Sequence, residues 1–238
     1  MVSPKAARHP KAPKGTLTRT ALDERNTPVA AHTPSPEHTI TTLDELEQVL
    51  GVPHPSIVTK HTDHTMPLIR RFISEARFFV LATADANGHC DCSPRGDITP
   101  KPMFLDDRTL VIPDRPGNRR ADSYRNILDN PHVGILFVVP GIDEVVRVNG
   151  TATLTVDPEL LQSMSINGEP ANLGVVVRID EVYTHCARAI LRSRMWDPES
   201  WPDPDEIPSL REMHSEQHGL DHSPDTRRRQ EYYRTLLY

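Results

Sequence analysis

The sequence predicts a mainly β domain in which six or so short strands close into a barrel, with a few helices at its periphery. Three observations carry this prediction. Short apolar or alternating runs bounded by turn residues follow one another through the middle of the chain. Asn87-Gly88 stands between two extended runs, the strongest short-range hairpin signal. The 23 prolines among 238 residues crowd toward the two ends, which confines continuous folded structure to the middle.

Taken in order, residues 1–40 are rich in Pro, Lys, Thr and Ala and hold no apolar run to offset the entropy of ordering, so a disordered arm is expected. The folded domain, with its preceding helices, is placed at 41–197 and a charged tail at 198–238. Thr41 to Gly51 combines a Thr cap, early acids, helical apolar spacing and a terminal Gly, which describes a short helix. In Pro67 to Ala76 the positions Leu68, Ile69, Phe72 and Ile73 form one apolar stripe on a second helix. Phe78 to Ala84 is a strand, Asp85 to Gly88 its turn, and His89 to Pro94 the return strand. Thr109 to Ile112 is a strand stopped by Pro113, and Asn118 to Leu128 reads as a helix capped by Asn118. His132 to Val139 is a nearly continuous apolar strand, and Glu144 to Val156 a long one bent at Gly150. Asp157-Pro158 opens a short helix through Met164. Val175 to Ile179 and Glu181 to Tyr183 supply a last strand pair or one long kinked strand, and Ala187 to Met195 closes the domain as a helix. The tail is expected to hold at most one helix, near Gln230 to Leu237.

A formal net charge of −6 argues against general nucleic-acid binding, although the N-terminal arm is locally basic. No stretch approaches the ~20 apolar residues that span a bilayer, and the N-terminus has no hydrophobic core of the secretory kind. A cytoplasmic location with no membrane partner is the default expectation. Cys90, Cys92 and Cys186 make neither an even disulfide framework nor a paired zinc site and read as reduced core thiols. The 12 histidines lack ligand spacing, so no metal is expected, and His61 and His64 read as solvated.

The chemistry concentrates in Asp114 to Ser123. Pro116-Gly117 makes a turn, Asn118 caps the expected helix, and Arg119 and Arg120 in its first turn oppose the usual preference for acids there. A phosphate beneath the turn would resolve the conflict by accepting helix amides and guanidinium bonds together. A solvated arginine pair partnered by Asp114 or Asp122 fits the same residues. Ser93-Pro94-Arg95-Gly96-Asp97 adds a second cation after a strand, with a Gly that lets backbone approach a ligand; a turn with an Arg-Asp pair is the plainer reading.

The order Ser93-Pro94-Arg95-Gly96-Asp97, Asp114 to Arg120, Leu136 to Gly141 with Arg147-Val148-Asn149-Gly150, His185-Cys186 and Arg192 to Trp196 resembles one branch of the pyridoxamine-phosphate-oxidase-like flavoproteins across residues 65–197. The resemblance implies a six-stranded split β-barrel of the FMN-binding type, a homodimer, and FMN at sites across the subunit interface. It places Ser93 and Arg95 near the flavin or its phosphate and Arg115, Asn118, Arg119 and Arg120 in the phosphate and ribityl cradle. Arg192, Ser193 and Trp196 would lie near the isoalloxazine, from either subunit, and Trp196 fits core packing equally. The valine-rich strands 132–139 and 175–179 are expected to help cover the dimer surface.

The Arg-x-His-Asp-Arg-type signature of true pyridoxamine-phosphate oxidases is replaced here by Arg192-Ser193-Arg194-Met195-Trp196-Asp197, which speaks against a vitamin B6 substrate. His185 is read as a buried structural residue, although imidazole titrates near neutral pH. The function implied is an FMN-dependent oxidoreductase taking hydride from a small substrate. The alternatives are a non-catalytic flavin-binding or storage protein and a haem- or deazaflavin-binding split barrel.

Overall fold

The structure, a computed structural model, describes residues 35–97 and 102–220 together with Arg234. The expected arm up to residue 34 and the tail helix near 230–237 lie outside the described residues, Arg234 apart. The chain divides into two units, residues 1–54 and 55–238. In the first, helix α1 (Leu43–Leu50) is held by a capping box: the Thr42 side chain accepts the Glu45 amide and the Glu45 carboxylate accepts the Thr42 amide.

The second unit holds α2 (Pro55–Val58), α3 (Pro67–Glu75), β1 (Phe78–Ala84), β2 (Cys90–Gly96), β3 (Met103–Phe104) and β4 (Thr109–Pro113). It continues with α4 (Asp122–Asp129), β5 (His132–Val138), β6 (Val145–Thr155), α5 (Pro158–Ser163), β7 (Gly174–His185), α6 (Arg188–Ser193) and α7 (Leu210–His218). The seven strands form one antiparallel sheet in the order β2-β1-β5-β6-β7-β4-β3. Phe79 and Leu81 of β1 share a single buried cluster with Leu110 and Ile112 of β4, although three strands separate them in that order. The sheet therefore curls upon itself as a split barrel. Phe137 of β5, Val148 of β6 and Val177 of β7, all wholly buried, fill its interior, and Ile73 of α3 and Ile127 of α4 join the same cluster. Leu68, expected on the buried stripe of α3, is exposed. The seventh strand, β3, is two residues long, too short to show a period in sequence.

A second, smaller cluster lies on the other face of β4, where Val111 packs with Leu161, Met164 and Ala171 beneath α5. This two-sided burial explains the continuous apolar run of β4. Between Gly150 of β6 and Ile179 of β7 the register shifts, because Asp180 is an extra residue on β7. The buried positions of β7 accordingly run 175, 177, 179 and then 182. Of the two expectations, a strand pair or one long kinked strand, the second holds: β7 is one bulged strand. At Gly150 an added Cβ would sit 2.1 Å from the Arg178 carbonyl oxygen, so the backbones approach as only glycine allows.

Three further expectations are corrected. α4 starts at Asp122, not Asn118; its N-cap position is Ala121, in the left-handed region at φ 59°, and Arg119 and Arg120 lie in the preceding loop. The three free thiols are exposed rather than in the core. The tail contains α7, opened by a Ser209–Glu212 capping box, outside the segment where a helix was expected. Of the valines on β5 and β7, Val133, Val175, Val177 and Val182 lie in the barrel interior, and Val176 packs against the second cluster.

Candidate functional site

β2 is an edge strand with alternating exposure: Asp91, Ser93 and Arg95, with Asp97 just past its end, are half-buried, while Cys92, Pro94 and Gly96 between them are exposed. The half-buried polar face lines a cleft of about 900 Å³ whose opposite lip is the loop from Asp114 through Ala121 and the first turn of α4. Strand and loop are joined by three side-chain links. Ser123, itself buried, donates from Oγ to Asp91 Oδ2. Arg95 Nη1 donates to Tyr124 Oη at 2.7 Å, its guanidinium lies 4.9 Å from the Tyr124 ring centroid, and Tyr124 Oη donates in turn to Asp114 Oδ1. Arg115 Nε donates to Asp97 Oδ2, and Arg115 Nη2 donates to the Met164 carbonyl at 3.1 Å.

The arginines of the cleft differ in what they have left to give. The Arg115–Asp97 pair is nearly enclosed, at 18% and 9% side-chain exposure, so Arg115 is a wall rather than a free donor. Arg120 pairs with Asp122, but in solvent, where such pairs are weak and exchangeable. Arg119 sits at φ 60° and has no ion pair among the described residues. Arg95 is placed 3.6 Å from Asp114 and keeps one buried donor, Nε, with no partner. A buried unmet donor on a cation costs free energy that an anionic or carbonyl oxygen would recover. The loop is tight: Asn118 Oδ1 accepts the Arg120 amide at 3.0 Å, and left-handed Arg119 and Ala121 flank that residue. α4 has no side-chain cap, which leaves its first amides without a side-chain acceptor beside the cleft. Burial, and then the bond to Asp114, push the Tyr124 hydroxyl up from its ordinary value, so it stays protonated and donates.

Six of the nine expected site residues therefore meet in one cleft: Ser93, Arg95, Arg115, Asn118, Arg119 and Arg120. Arg192, Ser193 and Trp196 do not line it. Ser193 Oγ donates to the Ile190 carbonyl, and half-buried Trp196 donates from Nε1 to the Ile142 carbonyl at 3.0 Å. His185 lies elsewhere, 3.3 Å from Arg147 through Nε2, and is half-exposed rather than buried. Sequence reasoning missed Asp91 and Tyr124, and it named Asp97 and Asp114 only as partners in a turn or a solvated pair, whereas Asp97 accepts from Arg115 and Asp114 from Tyr124. The alternation of polar residues at 91, 93, 95 and 97 was the signal for Asp91; nothing local marks Tyr124. Among the described residues no group of three or more His, Cys, Asp or Glu could hold a metal, and no helix is long and apolar enough to cross a membrane.

The split barrel thus carries, beside an edge strand, a cleft whose opposite lip is an arginine-bearing loop. The family model of pyridoxamine 5'-phosphate oxidase matches residues 65–186, just over half of the chain, and the chain belongs to this family. No curated protein sequence gives a significant match. Similar solved structures include HupZ from Group A Streptococcus, 17% identical over 48% of this chain and 91% of that one, with a TM-score of 0.40. General Stress Protein 26 from Bacillus anthracis is 21% identical over 49% of this chain and 89% of that one, with a TM-score of 0.38. HutZ, the haem storage protein from Vibrio cholerae, is 15% identical over 50% and 94%, with a TM-score of 0.35.

Proposed function

We propose that the chain is an FMN-dependent oxidoreductase that holds FMN in the cleft between β2 and the 114–121 loop and takes hydride from a small substrate. The observation that carries this reading is the buried Arg95 Nε, unmet among the described residues, on a side chain that lines the same cleft as Arg119, which has no ion pair among those residues. The residues fit the group. Arg119, the exchangeable Arg120 and the open first turn of α4 suit the phosphate, Asn118 and Ser93 suit the ribityl hydroxyls, and Arg95 suits an oxygen of the ring or phosphate. Bound FMN supplies two-electron redox chemistry. Tyr124 and Asp114 fix Arg95 in place, and Arg115 braces β2 against the loop through Asp97. A second copy of the chain is the expected source of Arg192, Ser193 and Trp196 at this cleft. Phe78, Ile142 and Met195, exposed here, are apolar surface that a homodimer would cover.

A second reading, a flavin-holding protein with little turnover, is favoured by one feature. Each carboxylate of the cleft is engaged: Asp91 by Ser123, Asp97 by Arg115, Asp114 by Tyr124 and Asp122 by Arg120. None stands open as a proton acceptor. Absorption of the purified protein, with mass identification of heat-released ligand, tests the cofactor. Flavin bands with FMN released, and FMN affinity reduced about tenfold or more in Arg95→Ala and Arg119→Ala, are expected. A protein that takes up no added FMN overturns the proposal. Flavin that no nicotinamide or amine donor reduces selects the second reading.

A further inference from the structure

A second cavity, of about 430 Å³, lies between α3 and the adjoining ends of β6 and β7, and it shares no lining residue with the cleft. Its body is apolar: Leu68, Ile69 and Phe72 from α3 face Val145 and Val146 of β6. Lys60 is the one lysine or arginine of its lining, and Arg147 stands just outside that lining, beside His185. Lys60 Nζ is placed 2.9 Å from the Thr184 carbonyl and 5.2 Å from the Tyr183 ring centroid; the Arg147 guanidinium lies 5.3 Å from the same centroid and 3.3 Å from His185 Nε2. Cross-strand pairing fixes this arrangement, since Arg147 stands opposite Tyr183 and Val145 opposite His185.

Neither cation has a carboxylate partner among the described residues. Glu144, the one acid of the lining, pairs with neither, and Glu181, next along the strand face, is engaged by Asn149 at 2.7 Å and by His61 at 3.5 Å. Burial, Arg147 and Lys60 all hold His185 below the usual imidazole range, which marks the local potential as positive. Exposed Lys60 and half-buried Arg147 share one aromatic ring beside an apolar recess, so an anion placed there meets two cations at once. A recess of this size, mostly apolar with a few convergent polar groups, has the make-up of a small-molecule site.

We propose that this cavity binds an amphipathic organic anion, its carboxylate against Lys60 and Arg147 and its apolar body against Ile69, Phe72 and Val145. The inference does not rest on the flavin reading, because the cleft and the cavity are built from different residues.

Octanoate is the probe, with 1-octanol as its neutral counterpart, on the full chain with and without added FMN. Calorimetry is expected to show saturable octanoate binding, weakened about tenfold in Lys60→Gln and in Arg147→Gln, with 1-octanol binding unchanged by either substitution. Lys60 is exposed, so its variant reports on binding without threatening the fold. Cys186, which lines the cavity, gives an independent readout: octanoate slows its alkylation, while Cys90, which does not line it, reacts as before. No saturable octanoate binding at millimolar concentration overturns the proposal. So does binding that is indifferent to both substitutions, or equal protection of Cys90 and Cys186.

Discussion

Tyr124 does the most at the scale of single residues, since its hydroxyl accepts from Arg95 and donates to Asp114 within one half-buried link. Tyr124→Phe removes both bonds and leaves Arg95 and Asp114 only their mutual approach at 3.6 Å, so destabilisation of about 1–2 kcal/mol is expected in denaturant unfolding, with weaker FMN binding beside it. The histidines offer a contrast in sign. His185 is held low by burial, Arg147 and Lys60, so its contribution to stability is complete above the unfolded value of about 6.5 and is lost as pH falls through the lower folded value. His89 is held high by Asp85, so its contribution is complete below about 6.5 and is lost as pH rises through the higher folded value. An NMR titration assigned with His185→Gln and His89→Gln should place one midpoint on each side of 6.5, with that of His185 rising in Arg147→Gln. The arginines of the site were legible in the sequence because their types and order are unusual. Their differing availability was legible only in part: Asp122, two residues from Arg120, was a local partner, whereas the enclosure of Arg115 by Asp97 depends on the end of β2 facing the loop, which no local pattern records.

Among the elements, β6 and β7 show how a strand's phase is set. Residues 175–179 and 181–183 read as a strand pair or one kinked strand because the apolar period breaks at Asp180, and the pairing shows that one inserted residue makes that break without ending the strand. Gly150 faces the bulge. Gly150→Ala drives a Cβ into the Arg178 carbonyl, backbone that cannot rotate away, and is expected to cost about 3 kcal/mol or more in denaturant unfolding. Gly141→Ala, at φ 82° with nothing within 4 Å of its Cβ, tests conformational strain alone and should cost about 1–2 kcal/mol. The strand bounds came close to those observed where turn chemistry was local, as at Asp85 to Gly88. The start of α4 was misplaced by four residues because Asn118 is a good cap by type, yet its side chain serves the Arg120 amide inside a loop. The Ser209-x-x-Glu212 signature of α7 was present in the sequence and was outweighed by the charged, Pro-rich composition around it.

For the whole molecule, the curl of the sheet brings β4 and β1 to one interior and leaves β2 at an end of the strand order, bonded to β1 alone. The barrel was legible as a count of strands and turns, whereas the opening in it was not, because closure depends on which edges remain unpaired. That opening has a kinetic consequence. β2 behaves as a door leaf: hung on β1, latched to the facing loop through Asp91, Arg95 and Asp97, and free along its outer edge. A guest that spans Arg95 and Arg119 adds another latch, so filling the cleft and stilling the leaf become one event. Hydrogen exchange would show it, with amides of residues 90–96 slowing when FMN is added while those of β5 and β6, paired on both sides, hold their rates. Unchanged exchange in β2 at saturating FMN would mean that the wall is already rigid and that the latches alone keep it shut.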